Sequence, residues 1–360
     1  MSGMNSRNHK LKAGEWVLVR SKDEILATLD KNGRLEELPF MPQMLQFCGQ
    51  KFRVAKRAHK LCGTGHSTIS GTMENAVALE GELRCDGQGF GGCEMGCLFL
   101  WKEAWLRREE DTSPITTSAT GSPCTEADLY AATKLPPSPD APSLGPRYVC
   151  QATQMTAATK PLPFWSIPHF VEDCASGNQK VGTILRAVLF TFFYHLAESG
   201  LGFGSGLRWI YDKIQTMRGK TPYVRRMGHL PMKGSTPTLK LNLEPGELVR
   251  IRPHKEILDT VNLDLMNRGM GFHPELVEFC GKTFHVQSRV GKIINEKTGH
   301  LMELKNPCIV LDGVRCTGFY TKPMFCSRNS LPYWREIWLE RVDDPSQPAP
   351  QRETASSQMT

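Results

Sequence analysis

The chain has no apolar run long enough to cross a bilayer without interruption. A spanning helix needs about 20 predominantly apolar residues, and Arg186, His195 and Glu198 interrupt the most apolar stretch, Val181 to Leu201. No transmembrane span is expected. The opening MSGMNSRNHKLKAG lacks the apolar centre of a secretory signal, so the expected location is the cytoplasm. Also missing are a phosphate-binding glycine loop, a dinucleotide glycine pattern, a nucleophile elbow and a His-Glu-x-x-His helix. The glycine-rich Gly200 to Gly206 (GLGFGSG) follows a helical pattern rather than a strand and reads as a hinge. With no paired acid and base in view either, the reading leans away from an enzyme.

What is present suits a folded, water-soluble body. Hydrophobic residues make up 40% of the 360 and charged residues 22%, which excludes wholesale disorder, and the length predicts two or three domains. Twelve cysteines in a chain expected in the cytoplasm read as buried thiols or metal ligands rather than as a disulfide framework.

The organising feature is an internal repeat. Gly14-Glu15-Trp16-Val17-Leu18-Val19-Arg20 answers Gly246-Glu247-Leu248-Val249-Arg250-Ile251-Arg252, an offset of 232. The offset holds through Glu24-Ile25-Leu26 with Glu256-Ile257-Leu258, Phe40 with Phe272, and Phe47-Cys48-Gly49 with Phe279-Cys280-Gly281. After a variable loop, Arg84-Cys85 answers Arg315-Cys316, and Trp101-Lys102-Glu103-Ala104-Trp105-Leu106 answers Trp334-Arg335-Glu336-Ile337-Trp338-Leu339.

Within each copy, alternating strands, tight glycine turns and one short helix (Lys22 to Leu29; His254 to Val261) predict a small barrel. The expected fold class is mainly β with some α (α+β): two SH3-like β-barrel modules related by duplication, at residues 12–108 and 242–341. Residues 1–11 and 342–360 are expected to be disordered, and 109–160, rich in Pro, Ser and Thr, to be a flexible linker. The middle segment, 161–240, is expected to be helical and basic. Between 175 and 240 there are ten Lys or Arg against two acids, Glu198 and Asp212, a local +8 against +7 for the whole chain. Such a segment suits nucleic acid or an anionic membrane surface, and its plain alternative is a helical pair docked on the modules with a solvated basic rim.

The candidate site is the set Cys62, Cys85, Cys93 and Cys97 in the first copy. Four thiolates complete a tetrahedral zinc site or hold an iron–sulfur cluster, although the spacing of RCDGQGFGGCEMGC is not that of common zinc ribbons. The second copy keeps Cys316 and Cys326 but has Ser330 opposite Cys97 and Ile293 or Ile294 opposite Cys62, so it is expected to lack the metal. Cys48 and Cys280 read as structural. His66, the histidine nearest the cluster, reads as a loop residue. The tryptophans of the closing motif are expected to fill each core, with Glu103 and Glu336 bonded to backbone or to basic side chains such as Arg84 and Arg315.

The opening Gly-x-x-Val-x-Val with a later Gly-x-x-Phe-x-Val strand resembles SH3-like barrels, including that of nitrile hydratase beta subunits. The whole set (Gly-Glu-x-Val-x-[Val/Ile]-Arg, Phe-x-Pro, Phe-Cys-Gly, Arg-Cys, Trp-[Lys/Arg]-Glu-x-Trp-Leu, in both copies) resembles an uncharacterised family of bacterial proteins with a duplicated Cys-containing module. The resemblance implies an accessory role in polysaccharide or natural-product biosynthesis, since such relatives are encoded beside glycosyltransferase genes. Phe90 stands where those relatives often have histidine. The leading expectation is a cytoplasmic, non-catalytic accessory or binding protein with a structural metal (zinc or an iron–sulfur cluster) and a protein partner. The alternatives are an enzyme using that metal or cluster, and a nucleic-acid or anionic-membrane-surface binder acting through residues 175–240.

Overall fold

Strand β1 (Trp16–Val19) alternates as its sequence does: Trp16 is exposed while Val17 and Val19 are buried. Ser21 then starts α1 (Lys22–Leu26) with a capping box, its hydroxyl accepting the Glu24 amide and the Glu24 carboxylate accepting the Ser21 amide. Strands β2 (Lys51–Arg57), β3 (Ala76–Leu79), β4 (Leu100–Lys102) and β5 (Leu106–Arg107) complete a five-stranded antiparallel sheet in the order β4-β3-β2-β1-β5. The computed structural model describes residues 10–63, 70–108, 124–137, 144–163, 166–219, 222–225, 227–321 and 324–343.

After the first sheet come α2 (Glu126–Ala131), α3 (Ile167–Ala175), α4 (Val181–Ala197) and α5 (Gly204–Met217). The second module follows as β6 (Leu248–Ile251), α6 (His254–Leu258), β7 (Thr283–Ile294), β8 (Leu301–Leu311) and β9 (Leu339–Arg341), with sheet order β8-β7-β6-β9. Several two-stranded antiparallel ribbons surround these sheets. The architecture is thus mixed α/β, more helical than a mainly β chain, because three helices fill the middle segment.

Equivalent residues of the two modules make equivalent bonds. β1 pairs with β2 as Trp16↔Arg53, Val17↔Phe52 and Leu18↔Lys51, and β6 pairs with β7 as Leu248↔His285, Val249↔Phe284 and Arg250↔Thr283. Each partner is displaced by 232 positions. In each core an indole N–H donates to a threonine hydroxyl, Trp105 to Thr28 at 3.1 Å and Trp338 to Thr260 at 2.9 Å. Phe40 meets Trp105 edge-on at 5.1 Å, as Phe272 meets Trp338 at 5.2 Å. Trp101, Trp105, Trp334 and Trp338 are wholly buried. Gly49 and Gly281 close Phe-Cys-Gly at φ of 76° and 79°, a left-handed conformation that favours glycine. Cys48 and Cys280 pack against the two cores.

The closing carboxylates are bonded as the sequence suggests, but to other arginines. Glu103 accepts the Leu11 amide and Arg57, and Glu336 accepts the Leu243 amide and Arg289. Arg84 and Arg315 instead converge on Glu82.

Three boundary expectations are corrected where residues are described. Leu11 is buried in the first core, so the ordered chain begins before Lys12. The second half of the expected linker is packed: Leu129 and Tyr148 join the first core, and the buried Gln151 side chain satisfies both the N–H and C=O of Leu100. Scattered apolar residues in a Pro-rich composition suffice here, because they cover a core that already exists. At the other end the Val342 amide donates to Leu248 O, extending the second sheet past Arg341. The rest of the terminal calls (1–9 and 344–360) and the first part of the linker (109–123) lie outside the described residues.

Candidate thiol sites and a basic apolar face

The second copy's β7 runs five residues beyond the point where β2 ends in the first, and its end does not stay in its own module. Lys292 O accepts the Glu94 amide at 2.8 Å, the Glu94 carboxylate accepts the Gly291 and Lys292 amides, and the Ile294 backbone hydrogen-bonds the Cys93 thiol. The reciprocal bonds occur at the equivalent positions. Lys60 O accepts the Ser327 amide at 2.8 Å, and the Cys62 amide donates to the Cys326 sulfur at 3.0 Å. Each module therefore sends the end of its Phe-x-Val strand, β2 or β7, or the segment that follows it, across to the other module's cysteine loop.

This exchange divides the expected ligand set. Cys62 stands against Cys326 of the second copy, with 2.8 Å between their sulfurs, rather than completing a set with Cys85, Cys93 and Cys97. Those three line a small apolar chamber together with Phe90, Cys150 and Ile294. Ile294 is the repeat equivalent of Cys62, so the place the sequence assigns to a thiol is filled from the other copy by an apolar residue. The fourth thiol of the chamber is Cys150, which comes from the expected linker. Among the described residues no three His, Cys, Asp or Glu side chains stand together in metal-ligand geometry, and all twelve cysteines are free. Burial pushes the Cys85 thiol up to about 12 and raises Cys93, Cys97 and Cys150 as well, as desolvation of a thiolate requires.

Around the Cys62–Cys326 pair the electrostatics differ. Burial pushes Cys326 up, but hydrogen bonds from Cys62 and from backbone amides, with the Arg328 charge, outweigh it and hold the thiol down at about 7. Cys62 moves upward as the partner that keeps the shared proton. Arg328, itself buried, is paired with Glu296 at 2.8 Å.

Beside the pair lies a polar anchor for the helices. Asp173 of α3 is fully buried, and its carboxylate accepts the Lys60 ammonium at 2.5 Å. His59 Nε2 stands 2.9 Å from the other carboxylate oxygen, off the line of a hydrogen bond. The Lys60 ammonium also sits 3.8 Å from the Phe170 ring centroid. Burial depresses the Lys60 pKa, with Asp173 opposing that shift.

The helices themselves are turned partly inside out. α4 packs Ala187 against Met324 and Phe325, while Phe190 meets Tyr320 edge-on at 5.4 Å. Gly204 lets α5 start against α4, since a Cβ there would lie 2.1 Å from the Ala197 carbonyl oxygen. The other face of α4 is an exposed apolar stripe, Val181, Leu185, Val188, Leu189 and Phe192, at helical spacing. Ile167 and Val171 of α3, and Trp209, Ile210, Ile214 and Met217 of α5, are exposed too. Thirteen of the 22 exposed large hydrophobic residues among those described fall between Ile167 and Met217, so the apolar surface is a regional feature as the charge is. The four acids between Ile167 and Met217 are all paired: Glu172 with Arg57, Asp173 with Lys60, Glu198 with Arg208 and Tyr223, and Asp212 with Arg225. Lys180, Arg186, Lys213 and Arg218 remain exposed around the stripe. Among the described residues no helix is long and apolar enough to cross a membrane.

No protein-family model matches this sequence, and no curated protein matches it.

Sequence reasoning missed Cys150 because it treated 109–160 as linker, and missed the Cys62–Cys326 pair because spacing along the chain does not distinguish a contact within a module from one between modules. One signal was available. The ungapped offset of 232 places Ile294 opposite Cys62, and such an asymmetry is expected where two copies exchange segments. His66 lies outside the described residues.

Proposed function

We propose that this chain is a non-catalytic binding protein that rests on an anionic membrane surface through α3, α4 and α5, with the two β modules as its body. The observation that carries the reading is the exposed apolar stripe of α4 and α5 set among uncompensated basic residues. An interfacial helix is recognised by an apolar face with Lys and Arg at its margin, and each cation near an anionic leaflet adds about 1 kcal/mol. A second copy of the chain is the poorer occupant, because two faces of like charge would meet. Nucleic acid would use the charge and leave the apolar stripe in water. We read the modules as SH3-like barrels related by duplication, which the repeated registers and core bonds support. A cytoplasmic location and the accessory role in polysaccharide or natural-product assembly belong to the same proposal.

The test is sedimentation with vesicles. Binding is expected to vesicles containing phosphatidylglycerol, to weaken as salt rises from about 50 to 200 mM, and to be much poorer on phosphatidylcholine alone. L189D/F192D removes two exposed side chains, each worth about 1.5 kcal/mol or more on burial, so affinity is expected to fall by about a hundredfold. Equal binding by the variant, or assembly into dimers in place of lipid binding, contradicts the reading.

A second reading, a thiolate metal centre, is supported by the meeting of Cys85, Cys93, Cys97 and Cys150 on one chamber. Four neutral thiols would lose their protons on binding a zinc ion or an iron–sulfur cluster. Anaerobically purified protein is then expected to carry about one zinc per chain, or visible absorption near 400 nm for a cluster, and C150S to lose it. Metal-free protein, or full occupancy in C150S with loss in C62S, contradicts this assignment.

A further inference from the structure

We infer that Cys62 and Cys326 form a redox site: they join as a disulfide that ties the first module to the second when a small-molecule disulfide oxidises them. The claim stands on geometry and is independent of the membrane reading.

The two sulfurs lie 2.8 Å apart, inside the separation of unbonded sulfur atoms and longer than the bond length of about 2.05 Å. The residues are 264 positions apart in the sequence and belong to different modules, so proximity along the chain does not explain the meeting. The approach is also held by backbone on both sides. The Cys62 amide donates to the Cys326 sulfur, and the Ser327 amide donates to Lys60 O. The Ser327 hydroxyl donates to Arg57 O, which fixes the loop that carries Cys326. Cys326 is buried whereas Cys62 is half-buried, so the two sulfurs have different access to a reagent. Arg328 lies beside both and favours negative charge on the pair.

These positions assign an order to the chemistry. The Cys62 sulfur, on the half-buried side of the pair, passes the shared proton to Cys326 across 2.8 Å as it attacks a sulfur of the small disulfide, forming a mixed disulfide and releasing one small thiolate. The Cys326 sulfur then attacks the Cys62 sulfur, forms the intramolecular bond and expels the second small thiolate. The two thiol protons end on the two released thiols. Two protein thiols are oxidised and one small disulfide is reduced, with no other reactant. The equivalent position in the first module's loop faces Ile294 rather than a thiol, so the same reaction has no counterpart there.

The experiment uses the full chain, reduced and then incubated with glutathione disulfide, followed by alkylation of the remaining thiols and peptide mass analysis. The expected result is one linked species joining the Cys62 and Cys326 peptides, with an intact mass about 2 Da lower and a Tm higher by about 5 °C or more, since the bond closes a very long loop. C62S and C326S are each expected to abolish both changes, and C316S and C85S to leave them. The peptide analysis needs no variant and remains decisive if a variant fails to fold. Recovery of Cys62 and Cys326 as separately alkylated or glutathionylated thiols, or a linkage that persists in C326S through another cysteine, overturns the inference.

Discussion

Replacing Asp173 by alanine is expected to destabilise the protein by about 3–5 kcal/mol at pH 7, the loss known for removing one partner of a buried ion pair. Lys60 is 2% exposed and Asp173 is its carboxylate partner, so the variant strands an ammonium in the interior. There is a ceiling. Lys60 escapes by losing its proton, and from its ordinary value of 10.5 that costs about 5 kcal/mol at pH 7, at 1.36 kcal/mol per pH unit. The sign of the pH dependence follows. Without Asp173 the folded state carries neutral Lys60 while the unfolded state stays protonated up to 10.5, so the unfolded state binds more protons and the variant's stability rises with pH toward that value. Urea midpoints of wild type and D173A at pH 7 and pH 9 check this, with D173L/K60M expected to recover most of the loss. A midpoint in D173A equal to wild type at pH 7 contradicts the placement of α3.

Trp101→Ala is expected to cost about 3–5 kcal/mol, as large-to-small changes in a packed core do, and to lower the stability of the second module as well as the first. Trp101 is wholly buried in the first core. The reciprocal bonds of Lys292 with Glu94 and of Lys60 with Ser327 make each module's strand extension part of the other's cysteine loop, so neither loop keeps its partners if one module opens. Hydrogen exchange in W101A is therefore expected to show protection lost in both sheets together, within a single transition. If β6 and β7 retain protection while β1 and β2 exchange, the modules are not interlocked.

The repeat, the β strands at its opening, both short helices and the helical middle segment were legible in the sequence, because each rests on local periodicity or on a motif that occurs twice. α4 ends at Ala197, four residues before the end of the apolar stretch Val181 to Leu201. What was illegible is long-range. Which arginine reaches Glu103, which thiol faces Cys62 and which chain segment carries the fourth cysteine of the chamber are set by the crossing of segments between modules. The exposed stripe of α4 was visible as apolar residues at helical spacing, yet whether such a face points inward depends on how much of it the modules cover, and here Ala187 and its neighbours use only one side.

The most direct measurement on the docking face is the emission of Trp209, which is 62% exposed on α5. On adding vesicles containing phosphatidylglycerol, its fluorescence is expected to shift to the blue and to be quenched by lipids brominated high on the acyl chain, with both changes lost in W209F and reversed by high salt. Sedimentation of the protein with those vesicles while the Trp209 emission stays unshifted and unquenched would contradict the proposal that this face enters the membrane surface.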